Sequence, residues 1–140
     1  MRAGFYETEI TPPLGTGIPG YFYIRKSTGV KQKLYAKAAV VESGDKCVAF
    51  VVLDTLSVPI GVDKIIKERV CSDLPIEPDA IMLSAIHSHT STPVAPNRRI
   101  FDNENEVEIN KIIERIGISA ADAVTLAYQR LQTVNAYYAK

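Results

Sequence analysis

Apolar residues in the first part of the chain fall into runs that predict β-strands. Aromatic and β-branched residues in the stretch 3–10 indicate an opening strand. Residues 34–41 and 47–53 are two more strand-like runs, and the polar segment 42–46 between them is typical of a hairpin turn. Because the run 47–53 is apolar on both faces, we expect a central strand that is covered on both sides of the sheet.

The middle of the chain changes to a helical pattern. Within 62–70 the apolar residues recur on one stripe of a helix, and the next apolar run is 80–86. A helix between two strands, with a connection of this length, predicts a parallel crossover that joins 47–53 and 80–86 in one sheet. Asp54 and His87 then leave the sheet at the same edge.

The last third predicts a long helix followed by a short strand. Asp102 or Asn103 is a suitable N-cap, and apolar residues recur at helical spacing through 109–131. Gly117 lies inside this helix, where it predicts a bend or a close contact with a neighbouring element. Residues 133–139 are rich in Tyr and Val and predict a final strand.

Together these elements predict the α/β class, with a mixed sheet and helices packed on it. Residues 1–140 amount to a single domain or a domain fragment.

Composition narrows the classes of function. Lys plus Arg and Asp plus Glu both number 16, so no basic excess attracts nucleic acid, and we expect no nucleic-acid partner. The longest apolar run, 47–53, is too short for a transmembrane segment. The N-terminus has no apolar signal-peptide core, and Cys47 and Cys71 form no CxxC pair, so we expect a reduced, cytoplasmic protein.

Three glycines in the loop 11–21 match a dinucleotide-binding pattern by spacing alone. Gly15, Gly17 and Gly20 have the spacing GxGxxG, but that fingerprint requires a helix that begins at the glycines. Pro19 interrupts the motif, and the residues after it are typical of a strand or loop. We therefore expect no nucleotide site here.

The candidate chemistry lies where the run 80–86 ends. His87 and His89 are the only two histidines of the chain, and they are two residues apart. On an extended strand such residues share a face, with Cα atoms about 6.6 Å apart at roughly 3.3 Å per residue, so both imidazoles can reach one metal ion. The alternative is two polar residues where a strand becomes a loop. Asp54 is an additional site candidate, or else a carboxylate that caps the local backbone.

Three stretches of this chain resemble the N-terminal part of the neutral/alkaline, non-lysosomal ceramidase family, and the similarity runs with gaps through the whole chain. They are Gly4-Phe5 leading to Ile10-Thr11-Pro12-Pro13-Leu14-Gly15, then Leu34-Tyr35-Ala36-Lys37-Ala38, and then Ser84-Ala85-Ile86-His87-Ser88-His89-Thr90. The last stretch is similar to the family's Ser-Ala-Thr-His-Thr-His-Ser-Gly-Pro.

The resemblance implies a zinc-dependent amidase that cleaves the N-acyl bond of a lipid amide such as ceramide. By this resemblance His87 binds Zn²⁺, and His89 is a catalytic residue beside the metal. The family takes its remaining metal ligands, a His, a Glu and a Tyr, from a part well downstream of these motifs. By this resemblance the 140 residues are expected to be the opening part of a larger catalytic domain and to be incomplete as an enzyme.

Two other functions remain open at this point. One is a non-catalytic α/β module, and the other is a small metal-binding hydrolase that uses Asp54, His87 and His89. If the chain is the front part of a larger domain, an uncovered sheet edge favours self-association.

Overall fold

The computed structural model describes residues 1–23, 25–94 and 106–138. These residues form a five-stranded sheet and two α-helices. The strands are β1 (Arg2–Glu9), β2 (Tyr35–Ser43), β3 (Lys46–Leu53), β4 (Ile81–Ala85) and β5 (Gln132–Thr133), and the helices are α1 (Val62–Asp73) and α2 (Glu106–Gln129). A short 3-10 helix, Pro78–Ala80, leads into β4.

The sheet is mixed, with the strand order β4-β3-β2-β1-β5. Strands β2 and β3 form an antiparallel hairpin, and β3 and β4 are parallel neighbours in which Val51 lies opposite Leu83. Helix α1 connects those two strands. The predicted α/β class, the hairpin and the parallel crossover are confirmed.

Both helices pack on one face of the sheet. Alternate residues of the central strands point toward them, with Ala38 and Val40 of β2 and Val51 of β3 buried in a core that also contains the apolar stripes of α1 and α2. Fully burying a Val, Leu or Ile side chain contributes about 1.5–3 kcal/mol, so this layer stabilises the fold.

Gly117 allows the two helices to approach each other. A Cβ atom on Gly117 would lie 2.9 Å from Ile65 Cγ2 and 3.0 Å from Ile65 Cβ. That is closer than carbon atoms pack without repulsion. The glycine that interrupts the apolar stripe of α2 therefore marks a close contact with α1.

The second face of the sheet is open in the described residues. Phe5, Ala39, Phe50 and Met82 lie side by side across four strands, and the three large side chains are 64%, 40% and 58% exposed. The prediction that both faces of 47–53 are covered is therefore wrong for the part of the chain that the structure describes. An apolar row of this kind is typical of a surface that another element or chain covers.

The end of the chain also differs from its prediction. Strand β5 contains only Gln132–Thr133, which pair with Ala3 and Arg2 of β1. Tyr137 and Tyr138 are exposed beyond it. The predicted caps of the long helix, Asp102 and Asn103, lie outside the described residues. No helix among those described is long and apolar enough to cross a membrane.

We predict that the isolated chain self-associates through its open sheet face and the outer edge of β4. Phe50→Lys should raise the dissociation constant of self-association at least about tenfold. Burial of a Phe side chain contributes about 1.5–3 kcal/mol, and a tenfold change in a dissociation constant corresponds to about 1.4 kcal/mol. Sedimentation velocity over a concentration series measures this. Phe22→Lys is the matched control, since Phe22 is fully exposed on a loop outside the sheet. A monomer at every concentration would contradict the prediction.

Candidate functional site

The site lies where the parallel strands β3 and β4 end together. Leu53 pairs with Ala85 at the last position of both strands. Two further backbone hydrogen bonds continue the contact, because Ile86 N donates to Leu53 O at 3.1 Å and Ser88 N donates to Thr55 O at 3.0 Å. Asp54 and the two histidines therefore leave the sheet at one edge, in agreement with the sequence prediction.

The backbone at His87 is not a continuation of the strand. Strand β4 ends at Ala85, and His87 has a φ angle of 62°, in the left-handed region that residues with a Cβ rarely adopt. The prediction that His87 and His89 share one face of an extended strand is therefore wrong. A turn brings them together instead, with ring centroids 5.1 Å apart and ring planes at 78°.

Holding a residue in this conformation costs about 1–2 kcal/mol, and such positions cluster at functional sites. In this loop the backbone hydrogen bonds on either side of His87 hold the turn in place.

Each imidazole is held through its Nδ1 atom by a backbone carbonyl. His87 Nδ1 lies 2.9 Å from Leu56 O, and His89 Nδ1 lies 3.1 Å from Gly20 O. A carbonyl oxygen only accepts hydrogen bonds, so each Nδ1 carries the proton. In a neutral ring, Nε2 then has a free lone pair. Metal-binding histidines are commonly oriented by a hydrogen bond of this kind from the other ring nitrogen.

The carbonyl that holds His89 comes from a distant two-stranded arm, which we define as residues 15–23 and 25–27. Hydrogen bonds from Gly15 N to Ser27 O and from Ile18 N to Arg25 O, both 2.8 Å, join its two sides. The glycines of the GxGxxG spacing thus lie in a hairpin-like arm and begin no helix. At the tip, the Tyr21 ring meets the His89 ring edge-on, with centroids 6.1 Å apart.

Asp54 is engaged with the start of β2. Its Oδ2 accepts a 3.0 Å hydrogen bond from Tyr35 N, and Lys37 Nζ lies 3.0 and 3.1 Å from its two carboxylate oxygens. The carboxyl group is buried and its contacts compensate the charge. Within the described ranges, no three His, Cys, Asp or Glu side chains come together as a metal site. The structure therefore places Asp54 at the same edge as the histidines but in a separate ion pair.

A cavity of about 480 Å³ lies beside the loop after β4. Ser88, Thr90 and Ser91 line one side of it, and the side chains of Lys37 and Asp54 also line it. Most residues of the segment 27–34 form a further part of its wall, including Lys31 and Lys33. The cavity thus combines hydroxyl and ammonium groups with apolar side chains such as Ile86, Val30 and Leu34.

Lys33 forms an ion pair near that wall. Its Nζ lies 2.7 Å from Glu9 Oε2, and this hydrogen bond lowers the pKa of Glu9 and raises the pKa of Lys33. Both groups therefore stay charged over a wide pH range.

The two cysteines do not contribute to this edge. Cys47 lies in β3 and Cys71 in α1, both with free thiols. Burial raises the pKa of each thiol, which disfavours the thiolate that acts as a metal ligand or nucleophile.

The sequence predicts the two histidines as site candidates but does not predict their contacts with Leu56 and Gly20. Both act through backbone carbonyls, which any residue carries, so side-chain chemistry gives no signal for them. The unusual density of glycines in the loop 11–21 is the available signal for Gly20, but the spacing of these glycines by itself indicates only a possible nucleotide motif.

Two solved ceramidase structures share this fold. Neutral ceramidase from Pseudomonas aeruginosa superposes with a TM-score of 0.78 and 22% sequence identity, over 94% of this chain and 22% of that one. A ceramidase complexed with C2 superposes with a TM-score of 0.75 and 20% identity, over 94% of this chain and 21% of that one. No protein-family model and no curated protein matches the sequence. The chain spans about a fifth of those ceramidases, and its mixed sheet with two helices is the α/β fold of a ceramidase segment.

Proposed function

We propose that this chain is a ceramidase-type amidase segment that contributes the His-x-His part of a zinc site. The observation that carries the proposal is the pair of imidazoles, 5.1 Å apart, whose Nδ1 atoms both donate to backbone carbonyls. The shared fold with two ceramidase structures supports the same function. Membership of the neutral/alkaline ceramidase family is part of this proposal.

The two histidines have separate roles in this proposal. His87 is the metal ligand, and its Nε2 lone pair fits the imidazole coordination that Zn²⁺ prefers. His89 is the catalytic residue, and its unprotonated Nε2 is able to accept a proton from a reacting group. Bound zinc polarises an amide carbonyl and lowers the pKa of a water ligand toward about 7.

The backbone around the two histidines determines the positions of their Nε2 lone pairs. The left-handed turn at His87 brings the rings together, and the hydrogen bond from Ser88 N to Thr55 O anchors the turn to the loop after β3. Effective catalysis requires groups held in productive geometry before the substrate arrives. We propose a lipid amide as the substrate, with the rest of its binding site supplied from outside the described residues.

A catalytic zinc normally has three protein ligands and one water. The described residues bring together only two imidazoles at this edge, and the remaining ligands of the resembling family lie downstream of its His-x-His motif. We therefore propose a shared site, to which this segment contributes a part.

The small self-contained hydrolase is the second candidate, since Asp54 lies at the same edge as His87. The Asp54 carboxylate accepts hydrogen bonds from Tyr35 N and Lys37 Nζ, and these contacts favour a structural role for Asp54 over metal binding. The non-catalytic module is the third candidate, in which the histidines serve only the loop. The three experiments below separate these functions.

The first experiment measures zinc binding by calorimetric titration. We expect the chain to bind Zn²⁺ weakly, because each missing ligand leaves a coordination position to water. His87→Ala should abolish the binding, whereas His89→Ala should weaken it less, since His89 lies beside the metal in this proposal.

Ser88→Ala is the matched control for this experiment, because Ser88 lies between the histidines and its hydroxyl contacts Thr90 and neither imidazole. It should retain the parent affinity. If His87→Ala binds zinc as well as the parent does, the metal function is wrong and the histidines are loop residues.

The second experiment measures hydrolysis of a short-chain N-acyl amide in the presence of zinc, with the released fatty acid as the readout. We expect no turnover by the 140-residue chain, because two imidazoles leave the metal without a full set of protein ligands. Activity should appear only when this segment is combined with residues that supply the remaining metal ligands. Turnover by the 140 residues alone would favour the self-contained hydrolase.

The third experiment compares Asp54→Asn with the parent chain. The substitution removes the negative charge of the buried carboxylate, which forms an ion pair with Lys37. We expect it to lower the free energy of unfolding by about 1–3 kcal/mol. Zinc affinity should remain unchanged, because the carboxylate is engaged with β2. Chemical denaturation and calorimetric titration measure the two effects. A large loss of zinc affinity with unchanged stability would identify Asp54 as a ligand.

A further inference from the structure

Gly20 contacts the imidazole of His89 more closely than any residue with a side chain could. Its carbonyl oxygen accepts the hydrogen bond from His89 Nδ1, and its φ angle is +88°. A Cβ atom built on Gly20 would overlap Nδ1 and would lie 2.9 Å from Cγ and 3.0 Å from Cε1 of that ring. The backbone of the arm and the ring are thus in direct contact.

Two side chains of the arm support this contact. The Arg25 guanidinium carbon lies 3.9 Å from the centroid of the Tyr21 ring, a distance typical of a cation–π interaction. The Tyr21 ring in turn meets His89 at 90°. Arg25, Tyr21 and His89 therefore form a continuous series of contacts, one cation–π and one edge-to-face, between the tip of the arm and the histidine.

The two histidines depend on different parts of the chain. His87 is oriented by Leu56 O, which belongs to the loop after β3, whereas His89 is oriented by Gly20 O, which is 69 positions earlier in the sequence. Docking of the arm thus affects the orientation of one ring and leaves the hydrogen bond of the other intact.

We infer that Gly20 is a positioning residue for His89. Its carbonyl fixes the tautomer with the proton on Nδ1, and its missing Cβ leaves the space that the ring occupies. The use of His89 in catalysis rests on the proposed function, but the tautomer and the position of the ring do not. Any other residue at this position is disfavoured twice, by the positive φ and by overlap with the ring.

The test compares Gly20→Ala with Gly15→Ala in the 140-residue chain. Gly15 has a φ angle of +85° in the same arm, and a Cβ built on it meets no atom within 4 Å, so it controls for backbone strain alone. The chain is prepared without metal and with ¹⁵N-labelled histidine. Long-range proton–nitrogen NMR spectra of this sample report the tautomer of each ring. The pH is set above the range in which imidazole titrates.

In the parent chain and in Gly15→Ala, we expect both rings to carry the proton on Nδ1. In Gly20→Ala, we expect the His89 signals to move toward the tautomer protonated at Nε2, because the hydrogen bond is displaced, while the His87 signals stay unchanged. A His89 tautomer that is the same in Gly20→Ala and in the parent overturns the inference.

Thermal unfolding gives a second, independent readout. In the parent background, Gly20→Ala should lower Tm more than Gly15→Ala does. In the His89→Ala background the two substitutions should have equal effects, because the ring that a Cβ would meet is gone. If Gly20→Ala still lowers Tm more than Gly15→Ala does in the His89→Ala background, the contact with the His89 ring does not explain why glycine is required at position 20, and the inference fails. Where Gly20→Ala does not fold, Arg25→Gln, which removes the cation–π contact, should produce the same change in the His89 signals, and unchanged signals overturn the inference.

Titration with Zn²⁺ separates this inference from the proposed function. The affinity of Gly20→Ala should fall to that of His89→Ala and no further, because His87 keeps its own carbonyl. If the parent binds no zinc but the spectra change as expected, the proposed function fails and the positioning role stands. If zinc binds and the tautomer does not respond to Gly20→Ala, the proposed function stands and the positioning role fails.

Discussion

The parallel pairing of β3 with β4 is the constraint on which the site depends. It ends the two strands at the same level, with Leu53 opposite Ala85, and the hydrogen bonds continue into both loops as far as Ser88 and Thr55. Side chains that are more than thirty residues apart in sequence thereby share one edge of the sheet. Ligands of α/β proteins commonly bind outside the carboxyl ends of parallel strands, because loops of different origin meet there.

At that edge the backbone determines the relative position of the two imidazoles and which nitrogen of each ring carries the proton. The left-handed conformation of His87 replaces the regular alternation of a strand and brings the rings within 5.1 Å. Backbone carbonyls of Leu56 and Gly20 then decide which nitrogen of each ring holds the proton. Two imidazoles without these partners would exchange tautomers freely and would offer no fixed lone pair to a metal or a reacting group.

Within the described residues, one face of the sheet is uncovered, and the proposed zinc site has fewer ligands than a catalytic zinc normally takes. One face of the sheet carries both helices, while Phe5, Phe50 and Met82 remain exposed on the other. At the edge, the described residues supply two imidazoles where a catalytic zinc takes three protein ligands. The ceramidases with this fold are about five times as long as the part that superposes. Both observations agree with the proposal that this segment acts together with further chain.

The sequence by itself determined the two helices, the strands β1 to β4, the parallel crossover and the edge of the sheet at which the histidine pair lies. These depend on periodicity within short segments, such as the apolar stripe of α1, and on connection lengths, which the sequence displays directly. The tertiary structure alone decided that one face of β3 stays open, that His87 leaves the extended conformation, and that Gly20 orients His89. Each of these depends on contacts between distant residues, in which the participating atoms are often backbone atoms that all residues share. The pattern of side chains along the sequence does not show which distant residues these backbone atoms contact.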